Sequence, residues 1–213
     1  MINISASLVK DYLACSKKVS FRRSGEGIAV QTPDMLVGNI VHKLIEDGVD
    51  DYEKYIEATN LDRSKKQKAK ICMSNYHLNY RMLTSPTDDV EKFFKYPFSR
   101  GVNIVGKFDR VLLDGVIIDW KSGNPPTSID TDIQFLMYYE AYKHIHGKEP
   151  NSVFGIFLLK NKMLKYNHNS FFKKVVYDDI IPNIVQSIKS GKFYREGIFK
   201  NICHNCAYKD YCY

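Results

Sequence analysis

The sequence predicts an α/β fold in which a central mixed sheet is flanked by helices. Three observations predict it. The first third carries apolar residues at helical spacing. Two strand-like runs between Val102 and Lys121 meet at a tight turn, and the chain beyond them returns to helix and then to strand. With 213 residues, 44% of them hydrophobic, there is material for one sizeable core, so the whole span 1–213 is read as a single domain. From about Phe193 the aliphatic residues thin out and three cysteines appear, which marks 193–213 as a C-terminal cysteine-rich segment folded around a metal centre.

Taken in order, "SASLVKDYLAC" offers Ser5 and Ser7 as caps and Leu8, Val9, Tyr12 and Leu13 as an apolar face, a helix that ends near Cys15. "DMLVGNIVHKLIEDGV" spaces Leu36, Val37, Ile40, Val41, Leu44 and Ile45 as a second helix, with His42 one turn after Gly38 on the same side. Leu61 to about Leu83 reads as a lysine-rich polar helix, and "TSPTDD" breaks it. The strand pair follows. "TDIQFLMYYEAYKHIHG" is a helix with Thr131 as its expected cap, and Val153 to Lys160 and Phe171 to Tyr177 are expected as further strands.

The net charge of +7 favours an anionic partner such as nucleic acid. The opening "MINISASLVKDY" lacks the basic and apolar regions of a secretory signal, and no window reaches the roughly 18 apolar residues of a membrane span. A cytoplasmic protein without a membrane association is expected. There, five cysteines are read as metal ligands or catalytic groups before disulfides.

Chemistry concentrates in "IIDWKSG". On a strand, Asp119 and Lys121 share one face and Ile118 and Trp120 the other. The preceding strand supplies Asp109. A three-residue loop, Leu113-Asp114-Gly115 with Gly115 left-handed, would pair Leu112 with Val116 and set Asp109 opposite Asp119, whereas a two-residue loop would bring Arg110 there instead. Two facing carboxylates repel unless a cation lies between them, and oxygen ligands suit Mg2+ or Mn2+. Lys121 beside such a cation would orient water and stabilise charge developing on a phosphate. The alternative is a surface ion pair between Asp119 and Lys121.

These residues resemble the RecB-type branch of the PD-(D/E)xK nuclease superfamily. Four elements stand in the order of that branch: G-x-x-x-H from Gly38 to His42, G-x-x-D from Gly106 to Asp109, D-x-K from Asp119 to Lys121, and Q-x-x-x-Y from Gln134 to Tyr138. The resemblance implies a restriction-endonuclease-like fold. It also implies His42, Asp109, Asp119 and the backbone carbonyl of Trp120 as metal ligands, Lys121 as the catalytic lysine, and Gln134 and Tyr138 beside them in the catalytic group. Trp120 replaces the tyrosine usual at its position.

The tail "CHNCAYKDYC" places Cys203, Cys206 and Cys212 in a C-x2-C-x5-C pattern that needs a fourth ligand. Members of the branch, among them CRISPR-associated nucleases and AddB-type subunits, hold a 4Fe-4S cluster with one early cysteine and three late ones. Cys15 matches the early position, so the resemblance implies a structural iron-sulfur clasp joining 193–213 to Cys15. Zinc is the alternative, and Cys72 is read as an ordinary buried thiol. Candidate phosphate contacts are Lys17, Lys18, Arg22, Arg23, Arg63, Lys65, Lys66, Lys68 and Lys70, with Phe21 and Tyr76 as stacking residues.

The function expected is a metal-dependent DNA exonuclease acting on single-stranded DNA or DNA ends. Its rivals are a nuclease subunit of a CRISPR-adaptation or recombination complex, working with a helicase or similar partner, and a DNA-binding module without catalysis.

Overall fold

The structure, a computed structural model, describes residues 1–25 and 31–212, so residue 213 of the cysteine-rich segment lies outside it. The chain forms two compact units: Met1–Val30 with Lys95–Gly106 and Asn169–Tyr213, and Gln31–Phe94 with Lys107–His168.

The second unit carries the expected α/β core. Its helices α3 (Pro33–Glu46), α4 (Tyr52–Glu57) and α5 (Arg63–Asn75) precede the strands, and α5 continues through a π turn at Tyr76–Tyr80 and a 3-10 turn at Arg81–Leu83. The Thr32 hydroxyl caps α3 and Pro33 opens it, since a first-turn proline forgoes only an N–H that the helix leaves unpaired. The strands are β2 (Asp89–Ser99), β3 (Val102–Val111), β4 (Val116–Lys121), β5 (Ser152–Phe157) and β6 (Lys162–Lys165), with helix α6 (Ile133–His146) between β4 and β5. Strand β1 (Ile2–Ile4) gives the sheet the order β1-β3-β4-β5-β6, and β2 also pairs with β3. It is a mixed sheet: β4 runs antiparallel to β3 and parallel to β5.

The three-residue hairpin is the one the chain adopts. Gly115 has φ 84°, Leu112 N–H bonds Val116 O at 2.8 Å, and Arg110 pairs with Ile118, a register that sets Asp109 opposite Asp119. Ile118 and Trp120 join Val37, Val41, Leu44, Ala69 and Met73 of α3 and α5 in one buried cluster. On the other face β4 meets α6. There Gly155, beside Asp119 in the parallel pair, leaves the space that the Phe135 ring fills, and a Cβ at this position would lie 2.7 Å from Phe135 Cζ.

Several expectations are corrected. Phe171 to Tyr177 is helical, as α7 (Ser170–Lys174) and a π segment (Val175–Ile180) leading into α8 (Ile181–Ser190). The Asn169 side chain caps this run by accepting from Phe172 N, which outweighs the strand preference of its aromatic and β-branched residues. The strand expected at Val153 to Lys160 ends at Phe157, followed by a 3-10 turn and the unforeseen β6. Asp132, not Thr131, caps α6. Strand β2 and helix α4 were not foreseen either.

The first unit holds α1 (Ala6–Ala14), capped by Ser5 as expected, and α2 (Ser16–Ser24), with Cys15 extended between them. It also contains α7, α8 and the short α9 (Lys209–Cys212). Among the described residues no helix is long and apolar enough to cross a membrane.

Gly155→Ala should lower the urea midpoint by an amount equivalent to about 1–3 kcal/mol, the range for overpacking a filled core. Adding Phe135→Leu to the same chain should recover part of it. Equal losses in the single and double variants would show that the Gly155–Phe135 contact is not what limits the site.

Candidate active site

Asp119 lies at the centre of the site with no exposure to solvent. Its Oδ1 accepts from Gln134 Nε2 at 2.8 Å and from the Tyr138 hydroxyl at 3.1 Å. Its Oδ2 sits 2.7 Å from Lys121 Nζ in an ion pair. Gln134 links the group. Besides bonding Asp119, it donates to the Tyr138 hydroxyl at 2.8 Å and accepts from Lys121 Nζ at 2.8 Å. Its place in the first turn of α6, and that of Tyr138 one turn on, follow from the Asp132 cap, which takes Gln134 N–H at 2.7 Å.

Asp109, nearly buried, accepts from Trp120 N–H at 2.9 Å. His42 arrives from α3. Gly38 packs near Ser122, at the end of β4, and one turn later His42 Nε2 reaches Trp120 O at 2.7 Å. His42 Nδ1 lies 3.5 Å from Asp109 Oδ2. The structure thus brings together all seven residues and groups that the sequence had singled out, from His42 to Tyr138.

One residue was missed. Glu91, with φ 50°, presents a carboxylate that forms with His42 and Asp109 a set of ligand atoms lying within 4.8 Å of one another. An L-residue rarely adopts that backbone, and it turns up mainly where the surroundings demand it. Its signal was the strand β2, which sequence spacing did not reveal. Glu91 also pairs with Lys107.

The electrostatics suit a cation. Burial, and then the charge of Asp119, push Asp109 well above the usual carboxylate range. Burial holds His42 below its ordinary value despite Asp119, which keeps it neutral and able to ligate. For Lys121 burial acts to lower the pKa, but the attraction of Asp119 and Asp109 outweighs it and the net shift is upward. It is therefore an ammonium at neutral pH, fit to stabilise negative charge and not to accept a proton. The converging His42, Glu91 and Asp109 offer the ligand atoms that a divalent ion would take.

Four cysteines meet elsewhere, in the first unit. Cys15, Cys203, Cys206 and Cys212 line one cavity with Phe21, Ile202 and Tyr208. Ser16 holds the place: its N–H and hydroxyl both bond the Glu196 carboxylate, at 2.9 and 3.0 Å, and its Oγ accepts from Tyr194 N–H at 2.7 Å. Gly197 lies so near that its Cβ would be 3.4 Å from Cys203 Sγ. None of the five cysteines is in a disulfide. Cys72 is fully buried, and burial pushes its thiol up to about 11.

The expected basic path is largely engaged in ion pairs. Lys65 and Lys68 both bond Asp34, at 2.8 and 2.7 Å, and hold its carboxyl at about 2. Lys66 and Lys70 pair with Glu57, and Lys18 and Arg22 with Asp11. Phe21 and Tyr76 are buried, against Tyr208 and Trp120, and are not available to stack on bases.

A helix-flanked mixed sheet here presents two facing aspartates, a lysine and a histidine, groups that phosphodiester hydrolysis uses. The comparison with known proteins agrees: the model of the PD-(D/E)XK nuclease superfamily matches residues 3–213, and the chain belongs to that superfamily. A crystal structure of a protein from Eubacterium rectale, assigned rather than demonstrated to be an exonuclease, superposes with TM-score 0.70 at 15% identity over 99% of this chain and 88% of that one. The structure of SSO0001 superposes with TM-score 0.54 at 13% identity over 99% and 85%. Both likenesses are of fold. No curated protein matches the sequence.

The two titrations set a sign. With its pKa raised, Asp109 favours folding at low pH, and that contribution is lost as pH rises through its folded value. With its pKa lowered, His42 favours folding above its ordinary value, and that contribution is lost as pH falls through its folded one. A cation needs both groups deprotonated, so Ca2+ should raise the melting temperature over EDTA more at about pH 8 than at about pH 6. In Asp109→Asn the difference should shrink. Equal Ca2+ shifts at both pH values in the wild type would count against a cation at Asp109.

Proposed function

We propose that the chain is a Mg2+- or Mn2+-dependent deoxyribonuclease that degrades DNA as an exonuclease, on single strands or at ends. The observation that carries this reading is Asp119, a fully buried carboxylate locked by Gln134 and Tyr138, with its second oxygen paired to Lys121. His42, Asp109, Glu91, Asp119 and the Trp120 carbonyl would hold the cation. When bound, it supplies a nucleophile at neutral pH and neutralises phosphate charge. Lys121, kept protonated, stabilises the charge that grows on the phosphate oxygens. Gln134 fixes the Lys121 ammonium and the Asp119 carboxylate at a constant separation, and Tyr138 holds Asp119 from behind. The E. rectale protein's exonuclease assignment favours action at ends.

The same reading gives the four cysteines a 4Fe-4S cluster. All four line one cavity, and Gly197 leaves it open. Cysteines that ligate rather than pair also suit a reducing cytoplasm.

Linear DNA labelled at one end, offered single- and double-stranded with Mn2+ or EDTA, tests the enzyme. Wild type should release label only with the cation, and Asp119→Ala and Lys121→Ala should each lose at least about 10²–10³-fold in rate while melting normally. Full activity in either variant would remove that residue from the chemistry. Aerobically handled wild type should be brown, with absorption near ~400 nm from thiolate-bound iron. Cys203→Ala should lose both iron and stability, and normal iron content in that variant would refute the cluster.

A further inference from the structure

We infer that Lys107 is a switched phosphate contact: it holds Glu91 while the cation site is empty, and passes to a substrate phosphate once Glu91 turns to a cation. The inference rests on the nuclease reading above and concerns a residue which that reading leaves unused.

Glu91 has two neighbours competing for one carboxylate. It belongs to the ligand set with His42 and Asp109, and it pairs with the Lys107 ammonium. Lys107 stands two residues before Asp109 on β3, so on an extended strand both side chains leave the same face. The exposures differ in a telling way. The Lys107 side chain is 55% exposed against 17% for Glu91 and 29% for Lys121. The site therefore has an inner ammonium, fixed by Gln134, and an outer one held by Glu91 alone among its described contacts.

A divalent ion among His42, Glu91 and Asp109 changes what surrounds Lys107. The carboxylate that neutralised it now faces a double positive charge, and the ion repels the ammonium. An anion arriving at the mouth restores the balance, and a phosphodiester is the anion that a nuclease meets there. Lys107 would then engage a phosphate next to the one being cut, since Lys121 already stands at the centre. The exposed position suits this, because a side chain with few packing contacts can change partner at little cost.

Two measurements on the full chain test it. Mn2+ binding without nucleic acid, read by electron paramagnetic resonance, should be about two- to fivefold tighter in Lys107→Met, the scale set by losing an exposed ion pair that competes with the metal. Binding of a single-stranded oligonucleotide in Ca2+, read by anisotropy over a range of KCl, should be weaker in Lys107→Met, with a salt slope smaller by about 0.7, one phosphate contact. Lys107→Arg should restore the slope. Mn2+ affinity unchanged or weakened in Lys107→Met would overturn the competition with Glu91, and an unchanged slope would overturn the phosphate contact. A wild type with no cation-dependent DNA binding would instead sink the nuclease reading and the inference with it, and that outcome is distinct because it appears before any variant is compared.

Discussion

The rest of the site depends on one costly act, the complete burial of the Asp119 carboxylate in β4. A lone carboxylate in such a place would take up a proton or unfold the strand. Here three groups on the same side of the sheet surround it and fix its direction: an amide, a phenol and an ammonium. Two of the three come from the first turns of one helix, so α6 has to sit at a fixed depth. The missing side chain at Gly155 is what lets Phe135 seat the helix there. Across the sheet, α3 carries His42 to the Trp120 carbonyl.

Much of this was legible in the sequence, and the reason is geometric. Strand alternation alone puts Asp119 with Lys121, helical spacing alone puts Gln134 over Tyr138 and Gly38 over His42, and the turn chemistry of Gly115 decides the register that faces Asp109 with Asp119. Each of these is a local rule. Glu91 escaped because its strand does not alternate cleanly: a left-handed residue near its start offsets the pattern, and Pro97 and charged residues interrupt the rest. The buried pair of Arg110 and Asp88, 3.0 Å apart, ties the "TSPTDD" turn to β3, and no spacing rule foresees a contact of that range. The helix at Ser170–Lys174 escaped for the opposite reason. Its aromatic and β-branched residues look like a strand, and a single asparagine cap decides otherwise.

The protein's own hydrogen bonds are enough to gather the cysteines. Cys15 is brought to the C-terminal segment by hydrogen bonds that involve no sulfur ligation: Ser16 to Glu196 and Tyr194, and Lys17 N–H to Tyr194 O at 3.0 Å. The Glu196 carboxylate lies at the start of α2, where unpaired N–H groups favour an anion. These bonds hold the four thiols around one cavity without any ligation, so a metal centre of the kind proposed above would carry less ordering cost. Cys72 shows the contrast, since a thiol pushed up by burial in the α3–α5 core has neither the thiolate nor the access that ligation needs.

Net positive charge is a poor guide to where the polymer runs. The lysines of α5 are the densest basic run in the sequence, yet Asp34 and Glu57 each take two of them and so fasten α5 to the start of α3 and the end of α4. A cation already facing a carboxylate at 2.7 Å gains little from a phosphate, because it must give up one anion to take the other. What distinguishes the catalytic end is a carboxylate that a metal can claim. Where a divalent ion can draw Glu91 from its lysine, the positive charge is released at the place and moment at which a phosphate is to be held. Charge that depends on metal loading couples substrate binding to catalytic readiness, which a permanently basic groove cannot do.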